Sequence, residues 1–296
     1  FHDSFYDASS ITPVGPLRRN LRKVSYFFLG FVLPGFSIYF LVARIDPGKI
    51  LAVAIPIIDL FAGPGGLGEG FASLSDDKSG SRNYRIKLSI EMDPVAHRTL
   101  LLRSFFRQFK LGGVPNSYYQ YLREEISLEE LFSENKRKHK AAQNEAWNAE
   151  LGKVSNKGVD RRIRAALGQR TRRWLLIGGP PCQAYSVIGR AKMRNREGFK
   201  HDDRHFLYRE YLRIVAKHQP AVFVMENVRG ILSSRVRGEK IFPKILEDLS
   251  RPCQSAGVRS KNPPTYRLVS VVDEVDASME GQPASFLIKA EDHGVP

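Results

Sequence analysis

The stretch that decides the fold reads ILAVAIPIIDLFAGPGGLGEGF and runs from Ile50 to Phe71. Its first part, Ile50–Leu60, is apolar and β-branched, which predicts a strand buried in a parallel sheet. The glycine-rich remainder, Phe61–Phe71, predicts a turn that leads into a helix. A second strand is predicted over Arg85–Glu91 and a helix over Pro94–Phe106. This order predicts an α/β fold of the doubly wound type, a mostly parallel sheet with flanking helices.

The alternation of strands and helices returns in the second half of the chain. We predict strands over Trp174–Ile177, Ala221–Met225, Tyr266–Val272 and Ser285–Ala290, and helices over Phe206–His218 and Ile241–Leu249. The segment between the two halves, 103–173, has 16 Lys and Arg against 8 Asp and Glu, and includes a helical stretch over Ser127–Lys140. We interpret it as a basic insertion on the surface, either a solvated helical face or a nucleic-acid contact.

The composition is that of an ordinary folded domain. Of 296 residues, 42% are hydrophobic and 26% charged, which excludes a collagen, a coiled coil and a wholly disordered chain. Lys and Arg number 46 against 31 Asp and Glu, so the net charge of +15 favours a polyanionic partner, nucleic acid ahead of an anionic membrane surface. Two cysteines, Cys182 and Cys253, exclude a disulfide scaffold; we predict no metal site and a reducing, intracellular environment.

Residues 1–49 differ from the sequence behind them, and their origin is unclear. They contain an uncharged apolar run, 24–43, which follows a basic cluster. The run is long enough to span a bilayer, but Gly30, Pro34 and Gly35 interrupt it. The interrupted run therefore favours a buried segment, or a stretch foreign to the domain behind it, over a membrane helix, and we expect the folded domain to span 50–296.

The glycine-rich turn is the first candidate binding site. Glycines 63, 65, 66 and 68 allow the backbone to approach a ligand, and the following helix favours an anionic group at its N-terminus. The spacing G-P-G-G-L-G differs from the dinucleotide-binding pattern, and no P-loop lysine follows. Glu91 ends the next predicted strand, where an acidic residue can hydrogen-bond both hydroxyls of a ribose. Asp93 is close enough to compete for that role, and a solvated carboxylate is the alternative.

Two more groups of polar residues follow buried strands. The turn Pro180–Gln183 holds a thiol, Cys182, at the carboxyl edge of the predicted sheet, and the cations within Arg190–Arg196 favour a thiolate there. A lone cysteine is otherwise a small buried hydrophobic residue. Glu226 follows another buried strand and is suited to act as an acid if burial raises its pKa. The alternative for Glu226 and Asn227 is a helix cap.

These groups, in this order, resemble the cytosine-C5 DNA methyltransferase family. The matching stretches are IDLFAGPGG (58–66), IEMD (90–93), GGPPCQAYS (178–186) and MENVRG (225–230). The last two are the most specific, and the resemblance covers about 50–296, the catalytic domain. It implies a Rossmann-like fold of the S-adenosylmethionine-dependent methyltransferases.

The resemblance implies S-adenosylmethionine as the cofactor and gives each residue a role. Cys182 would be the nucleophile that adds to C6 of a flipped-out cytosine, and Glu226 would engage N3 and the exocyclic amine. Asn227 would be a structural support, and the basic run Arg190–Arg204 resembles a mobile loop that closes over DNA. The implied cofactor-binding residues are Phe61 and Met92 on the adenine, Glu91 on the ribose, and Gly63, Pro64, Gly65, Gly66 and Pro181.

The resemblance also implies parts that this sequence does not contain. The family continues beyond a Gly-Val-Pro run with a target-recognition region and a C-terminal helix, whereas this sequence ends at Pro296 of that run. We therefore expect an incomplete enzyme, either a fragment or one completed by a second chain. The implied partner is double-stranded DNA, in the bacterial cytoplasm or nucleoid, and the implied process is DNA methylation in restriction-modification. The alternatives are a tRNA cytosine-C5 methyltransferase and a catalytically silent DNA-binding fragment.

Overall fold

The structure is a computed structural model that describes most of the predicted domain. The described residues are 41–43, 54–74, 82–110, 112–168, 171, 173–181, 205–236, 239–270 and 286–288. The predicted apolar run 24–43 therefore lies outside the described residues except at its end, 41–43.

A seven-stranded sheet forms the centre of the described part of the chain. Its strands are β1 (Leu41–Ala43), β2 (Ile55–Leu60), β3 (Tyr84–Glu91), β4 (Ala146–Asn148), β5 (Leu175–Gly178), β6 (Val222–Met225) and β9 (Leu268–Ser270). They lie in the order β4-β3-β2-β5-β6-β1-β9, and the five strands from β4 to β6 are parallel. This confirms the predicted α/β fold with a mostly parallel sheet.

Helices connect the strands, and two short strands form a separate ladder. The helices are α1 (Gly66–Ser73), α2 (Pro94–Arg107), α3 (Asn116–Leu122), α4 (Leu128–Glu134), α5 (Lys136–Glu145), α6 (Asn156–Leu167), α7 (His205–His218), α8 (Gly230–Ser233), α9 (Ile241–Ser250) and α10 (Pro252–Ser255). The ladder joins β7 (Arg235–Val236) to β8 (Glu239–Lys240). The helix predicted over Ser127–Lys140 is thus two helices that meet at Asn135.

The side chains of the parallel strands alternate between two hydrophobic clusters. Ile57 of β2 packs on one face with Ile86 and with residues of α1, whereas Ile58 and Leu60 pack on the other face with residues of α6, α7 and α9. Burial on both faces explains why these strands are continuous apolar runs in the sequence. The sheet is therefore the middle layer of a three-layer arrangement.

The basic segment 103–173 contributes to the central fold as well as to the surface. Its strand β4 extends the sheet, and its helix α6 buries Val159 and Ile163 in the main core. The helices α2 to α5 enclose a smaller cluster of their own around Phe105 and Phe132. Both β4 and α6 were absent from the sequence-based prediction of strands and helices.

Two further segments differ from expectation. The described part of the strand predicted over Ser285–Ala290, residues 286–288, does not form a continuous strand; its Phe286 turns inward against Phe242, with ring centroids 5.2 Å apart. The end of the apolar run forms β1, which pairs antiparallel with β6 and β9. Among the described residues, no helix has the length and apolar character needed to cross a membrane.

A buried arginine connects α1, α2 and α5. The guanidinium of Arg107 at the end of α2 pairs with Glu69 of α1 and, at 2.5 Å, with Glu145 of α5. The side chain of Arg107 is 7% exposed, so solvent screens these ion pairs weakly. Arg107 therefore links the helical part of the basic segment to the helix that follows the glycine-rich turn.

We predict that Arg107→Ala lowers the free energy of unfolding by about 2 to 3 kcal/mol, because it leaves two half-buried carboxylates without their cation. Urea denaturation followed by circular dichroism measures this change. The matched control is Arg123→Ala, since Arg123 makes an exposed ion pair with Glu125. That variant should be nearly as stable as the wild type, and equal losses in the two variants would contradict the prediction.

Candidate active site

The glycine-rich turn bends sharply at the carboxyl end of β2. Phe61, Gly63 and Gly65 have φ angles of 56°, 56° and 92°, a region that glycine adopts freely and phenylalanine rarely. The N–H of Ala62 donates to the carbonyl of Ile90 at 3.0 Å, which attaches the turn to β3. A strained backbone at a large side chain such as Phe61 is typical of a residue that is held in place for function.

One side of the turn is open enough to admit a ligand. A Cβ added at Gly63 or Gly66 would meet no atom within 4 Å, whereas one at Gly65 would lie 2.9 Å from Leu100 Cδ1. Pro64 is exposed, and Gly66 begins α1, so its N–H has no acceptor within the helix. The turn thus has a closed side, packed on α2, and an open side where a cofactor fits.

Glu91 holds the turn from the end of β3. Its Oε2 accepts the N–H of Gly63 and its Oε1 accepts the N–H of Asp93, both at 2.7 Å. Each carboxylate oxygen has a further lone pair, so Glu91 keeps the capacity to accept hydrogen bonds from two hydroxyls. This arrangement fits the predicted role of Glu91 toward a ribose.

The carboxylate of Asp93 is engaged elsewhere. Its Oδ1 accepts the N–H groups of Val95 at 2.9 Å and Ala96 at 2.8 Å, which caps the N-terminus of α2. Of the two carboxylates that compete in the sequence, Asp93 is therefore the one that caps a helix, and Glu91 is the one that contacts the glycine-rich turn. Met92, between them, is 54% exposed, so its side chain is available for an apolar contact.

A polar residue that sequence reasoning missed, Asn148, completes this side of the site. Its Nδ2 donates to the carbonyls of Glu91 at 3.0 Å and Met92 at 3.2 Å. Asn148 ends β4, and a polar residue at a strand end is the signal that would have found it. The sequence does not predict β4, because the strand has only three residues and lies within the basic segment.

The other side of the site lies at the ends of β5 and β6. The N–H of Glu226 donates to the carbonyl of Gly178 at 3.1 Å. A Cβ at Gly178 would overlap the carbonyl oxygen of Leu60, and one at Gly179 would overlap the Glu226 carboxyl. Gly178 therefore requires glycine, because the overlap is with backbone, whereas a side chain at position 179 would displace the carboxyl of Glu226. Burial raises the pKa of the Glu226 carboxyl, which favours its protonated form.

Asn227 attaches the turn after β5 to the end of β6. Its Nδ2 donates to the carbonyl of Pro180 at 2.9 Å, and its Oδ1 accepts the N–H of Val228 at 2.9 Å. The side chain is buried, so both hydrogen bonds are protected from water. Asn227 thus fixes the turn that leads to Pro181 and Cys182, which agrees with its predicted role as a structural support.

The predicted site residues within the described chain lie at one edge of the sheet. These are Phe61, Gly63, Pro64, Gly65, Gly66, Glu91, Met92, Pro181 and Glu226. Glu91 and Glu226 follow strands that are three positions apart in the sheet, which corresponds to about 14 Å. The predicted nucleophile Cys182 and the loop Arg190–Arg204 lie outside the described residues; the chain is described up to Pro181 on this side.

Asp59 is a second functional candidate that sequence reasoning did not single out. It lies in β2, between the strands that carry Glu91 and Glu226, and is 1% exposed. Neither carboxyl oxygen has a hydrogen-bond partner among the residues that the structure describes, and Oδ2 would lie 2.9 Å from a Cβ at Gly68. Burial is the main cause that raises the pKa of Asp59 to about 8; the nearby Arg107 opposes this shift.

Comparisons with known proteins match the sequence of this chain to one family. Residues 131–252 match the family model described as C-5 cytosine-specific DNA methylase. The type II methyltransferase M.Bpa9945I of Bacillus paralicheniformis is 32% identical to this chain over 211 residues. Both matches support the cytosine-C5 DNA methyltransferase family for this chain. This confirms the resemblance that the four sequence stretches indicated.

The chain is similar to two further type II methyltransferases over shorter or more distant alignments. M.AquIA of Picosynechococcus is 37% identical over 99 residues, which is 33% of this chain. M1.HphI of Haemophilus parahaemolyticus is 28% identical over 193 residues, or 64% of this chain, and the match to M.Bpa9945I covers 66% of it. The chain spans less than half of each relative, namely 45% of M.Bpa9945I and 37% of each of the other two.

We predict that Asp59→Asn flattens the dependence of stability on pH. The folded pKa of about 8 exceeds the ordinary value of 3.8, so the folded state holds a proton that the unfolded state has lost between these values. Ionisation of Asp59 in the unfolded state should therefore lower the free energy of unfolding by about 1.4 kcal/mol for each unit of rising pH across this window. Asn has no proton to lose, so the variant should lack this contribution.

Thermal and urea unfolding at pH 5, 6, 7 and 8 measure this difference between wild type and variant. The control is Glu247→Gln, because Glu247 is an exposed carboxylate on α9. Parallel pH profiles of the wild type and Asp59→Asn would show that the Asp59 carboxyl does not titrate in this range.

Proposed function

We propose that this chain transfers a methyl group from S-adenosylmethionine to C5 of a cytosine flipped out of duplex DNA. The observation that supports this most is the juxtaposition at one sheet edge of an open glycine turn, braced by Glu91, and a buried carboxyl, Glu226. The turn that leads to Cys182 lies between them, at the end of β5. The match to the family model supports the same reaction.

The cofactor would lie along the open side of the glycine-rich turn. Glu91 would accept the hydroxyls of its ribose, Phe61 and Met92 would contact its adenine, and Gly63 to Gly66 with Pro181 would line the amino-acid part. S-adenosylmethionine supplies an electrophilic methyl group on its sulfonium when it is bound. The chain's own contribution is to hold that methyl group beside the edge where Glu226 binds the base.

Cys182 and Glu226 would divide the activation of cytosine between them. The thiolate of Cys182 forms a bond to C6, while the Glu226 carboxyl gives its proton to N3, so that an electron pair is available at C5. C5 would then bond to the methyl carbon, whose bond to the sulfonium sulfur of the donor breaks and leaves its electron pair on that sulfur. Transfer of the C5 proton to water would break the S–C6 bond and return the thiolate, and N3 would return its proton to Glu226.

The environment of Glu226 suits this task. A carboxyl must hold its proton near neutral pH to donate it to N3, and burial against Gly179 raises its pKa in the required direction. We place the reaction in the bacterial cytoplasm, where the type II relatives would meet the same substrate. DNA modification of the type II kind is the process we propose.

We predict that the chain forms a covalent adduct with duplex DNA that contains 5-fluorocytosine in varied sequence contexts. Fluorine at C5 prevents the final elimination, so an active Cys182 stays bonded to C6 and shifts the protein on a denaturing gel. Cys182→Ser should give no adduct, and Glu226→Gln should slow adduct formation about 100-fold or more.

Cys253→Ser is the matched control, because Cys253 is buried at α10. It should form the adduct as the wild type does. A folded chain that binds S-adenosylmethionine but forms no adduct would contradict the proposed catalysis, and an adduct with tRNA instead of DNA would reassign the substrate.

We predict that Gly66→Ala separates cofactor binding from folding. The position has open space and ordinary helical geometry, so alanine should leave the melting temperature unchanged or slightly higher. The added methyl group would intrude on the cofactor, and the affinity for S-adenosylmethionine in isothermal titration calorimetry should fall about tenfold or more. Gly113→Ala, on a loop remote from the turn, should change neither quantity. Unchanged affinity in Gly66→Ala would place the cofactor elsewhere.

A further inference from the structure

The helices α5 and α6 sort their charges between inside and outside. Each helix has one acidic residue, Glu145 and Asp160, and both face inward. Glu145 pairs with Arg107 at 2.5 Å, and Asp160 pairs with Arg213 and with His218, both at 2.9 Å. The acidic groups of these helices are therefore neutralised below the surface.

The outward faces of the same two helices are cationic. Their exposed charged residues are Lys136, Arg137, Lys138 and Lys140 of α5, and Lys157, Arg161 and Arg164 of α6. Neither helix exposes an acidic side chain. An ordinary solvated surface intersperses both signs of charge, so seven cations without an acid indicate a surface that attracts a polyanion.

Most of these cations are uncommitted. Lys138 donates to the carbonyl of Gln108 at 2.5 Å and lies 5.3 Å from the centre of the Phe109 ring. The side chains of the other six cations make no ion pair or hydrogen bond with a residue that the structure describes. They are therefore available to an external partner.

Arg162 connects the two helices. Arg162 of α6 donates through Nη2 to the carbonyls of Gln143 at 3.4 Å and Asn144 at 3.1 Å, at the end of α5. Its guanidinium also lies 5.3 Å from the centre of the Trp147 ring in β4. Because Arg162 joins α5, β4 and α6, the cationic rows of the two helices keep a defined relation to the strand that ends at Asn148.

The position of the α5 cations is unfavourable for the helix itself. Lys136, Arg137 and Lys140 lie in its first turns, where the helix dipole repels positive charge, and Asn135 makes no side-chain capping bond. A local conflict of this kind is typical of residues retained for function. It supports a binding role for the row.

The row on α6 has the spacing of a backbone contact. Lys157, Arg161 and Arg164 are three and four residues apart, so they lie on one face and span about 10 Å of helix. Phosphates of one DNA strand are about 3.4 Å apart along the duplex axis, so such a row spans about three of them. The helix follows β4, whose last residue, Asn148, contacts Glu91 at the active edge.

We propose that the α5–α6 surface binds the phosphate backbone of duplex DNA outside the cytosine site. The choice of DNA as partner rests on the proposed function. A membrane surface fits less well, since an interfacial helix also needs an apolar face, and neither helix has an exposed large hydrophobic residue. The surface adds affinity and no sequence preference, because phosphate contacts carry no base information.

The test compares three variants, each of which removes three positive charges. The α6 variant combines Lys157→Gln, Arg161→Gln and Arg164→Gln. The α5 variant combines Lys136→Gln, Arg137→Gln and Lys140→Gln. The control variant combines Lys217→Gln, Arg251→Gln and Lys261→Gln. The control residues are exposed cations on other elements. Binding of a 30-base-pair duplex is followed by fluorescence anisotropy at salt concentrations from about 50 to 300 mM.

Each α5 or α6 variant should reduce the slope of log affinity against log salt by about 2 to 3, and weaken binding about tenfold or more at 100 mM salt. The control should keep the wild-type slope. The α5 variant should also melt at a slightly higher temperature, since it removes charges that oppose the helix dipole. The proposal would be overturned if the slope of log affinity against log salt were the same in the wild type and all three variants. It would also be overturned if the three variants, the control included, lost the same amount of affinity.

Adduct formation with 5-fluorocytosine separates this proposal from the proposed function. With a duplex of about 10 base pairs, the α6 variant should form as much adduct as the wild type does. With a duplex of about 30 base pairs, the wild type should form more adduct than with the short duplex, and the α6 variant should not. No adduct from any protein, with the salt slopes as expected, would reject the catalysis and keep the surface. Adduct yields that are equal for all proteins at both lengths would reject the surface. Tighter binding of duplex RNA of equal length would reject DNA as its partner.

Discussion

One carboxylate holds the catalytic edge together. Glu91 accepts the backbone N–H of Gly63 from the glycine turn and that of Asp93 from the start of α2, both at 2.7 Å. The turn after β2 and the helix after β3 are thereby fixed to the same side chain. Asp93 then caps α2, and the carbonyl of Glu91 receives Asn148 from β4. Three consecutive strands thus meet at one residue, and the position of the cofactor side of the site depends on it.

The turn after β5 depends on close packing at two glycines rather than on an ion pair. Gly178 lies against the carbonyl of Leu60, and Gly179 lies against the carboxyl of Glu226. Close packing at this point removes water from Glu226, which raises its pKa, and Asn227 keeps the adjoining turn in place. The same two glycines therefore set both the geometry of the turn and the protonation of the acid.

The sequence allowed prediction of those elements whose environment leaves a mark on composition. Strands β2, β5 and β6 are buried on both faces, so each is largely apolar, whereas β3 alternates apolar and polar residues in its first half. Glu91 and Glu226 were predicted as site residues because each stands at the end of one of these strands. β4 was missed because three residues do not make a pattern, and α6 because its core contacts rest on Val159 and Ile163 within a cationic stretch.

The roles of Asp59 and Asp93 were beyond prediction from the sequence for a physical reason. A strand-end carboxylate can cap a helix, bind a ligand or be buried without a partner, and only tertiary contacts distinguish these cases. Asp93 turned out to be a cap, and Asp59 turned out to be buried beneath the turn, without hydrogen bonds among the residues described. Likewise, only its pairing with β6 and β9 identifies the end of the apolar N-terminal run as a strand of the sheet.

The small hydrophobic cluster around Phe105 and Phe132 has a consequence for how this chain can change. Because α2 to α5 are packed around a core of their own, insertions and substitutions there perturb that cluster before they perturb the sheet. Helix α5, with its exposed cations, can therefore change in length and charge while the edge that carries Glu91 and Glu226 stays the same. If the chain acts as proposed, such a division would let selection adjust the lifetime of the complex with DNA separately from the rate of reaction, and would make this segment the natural place to exchange between relatives.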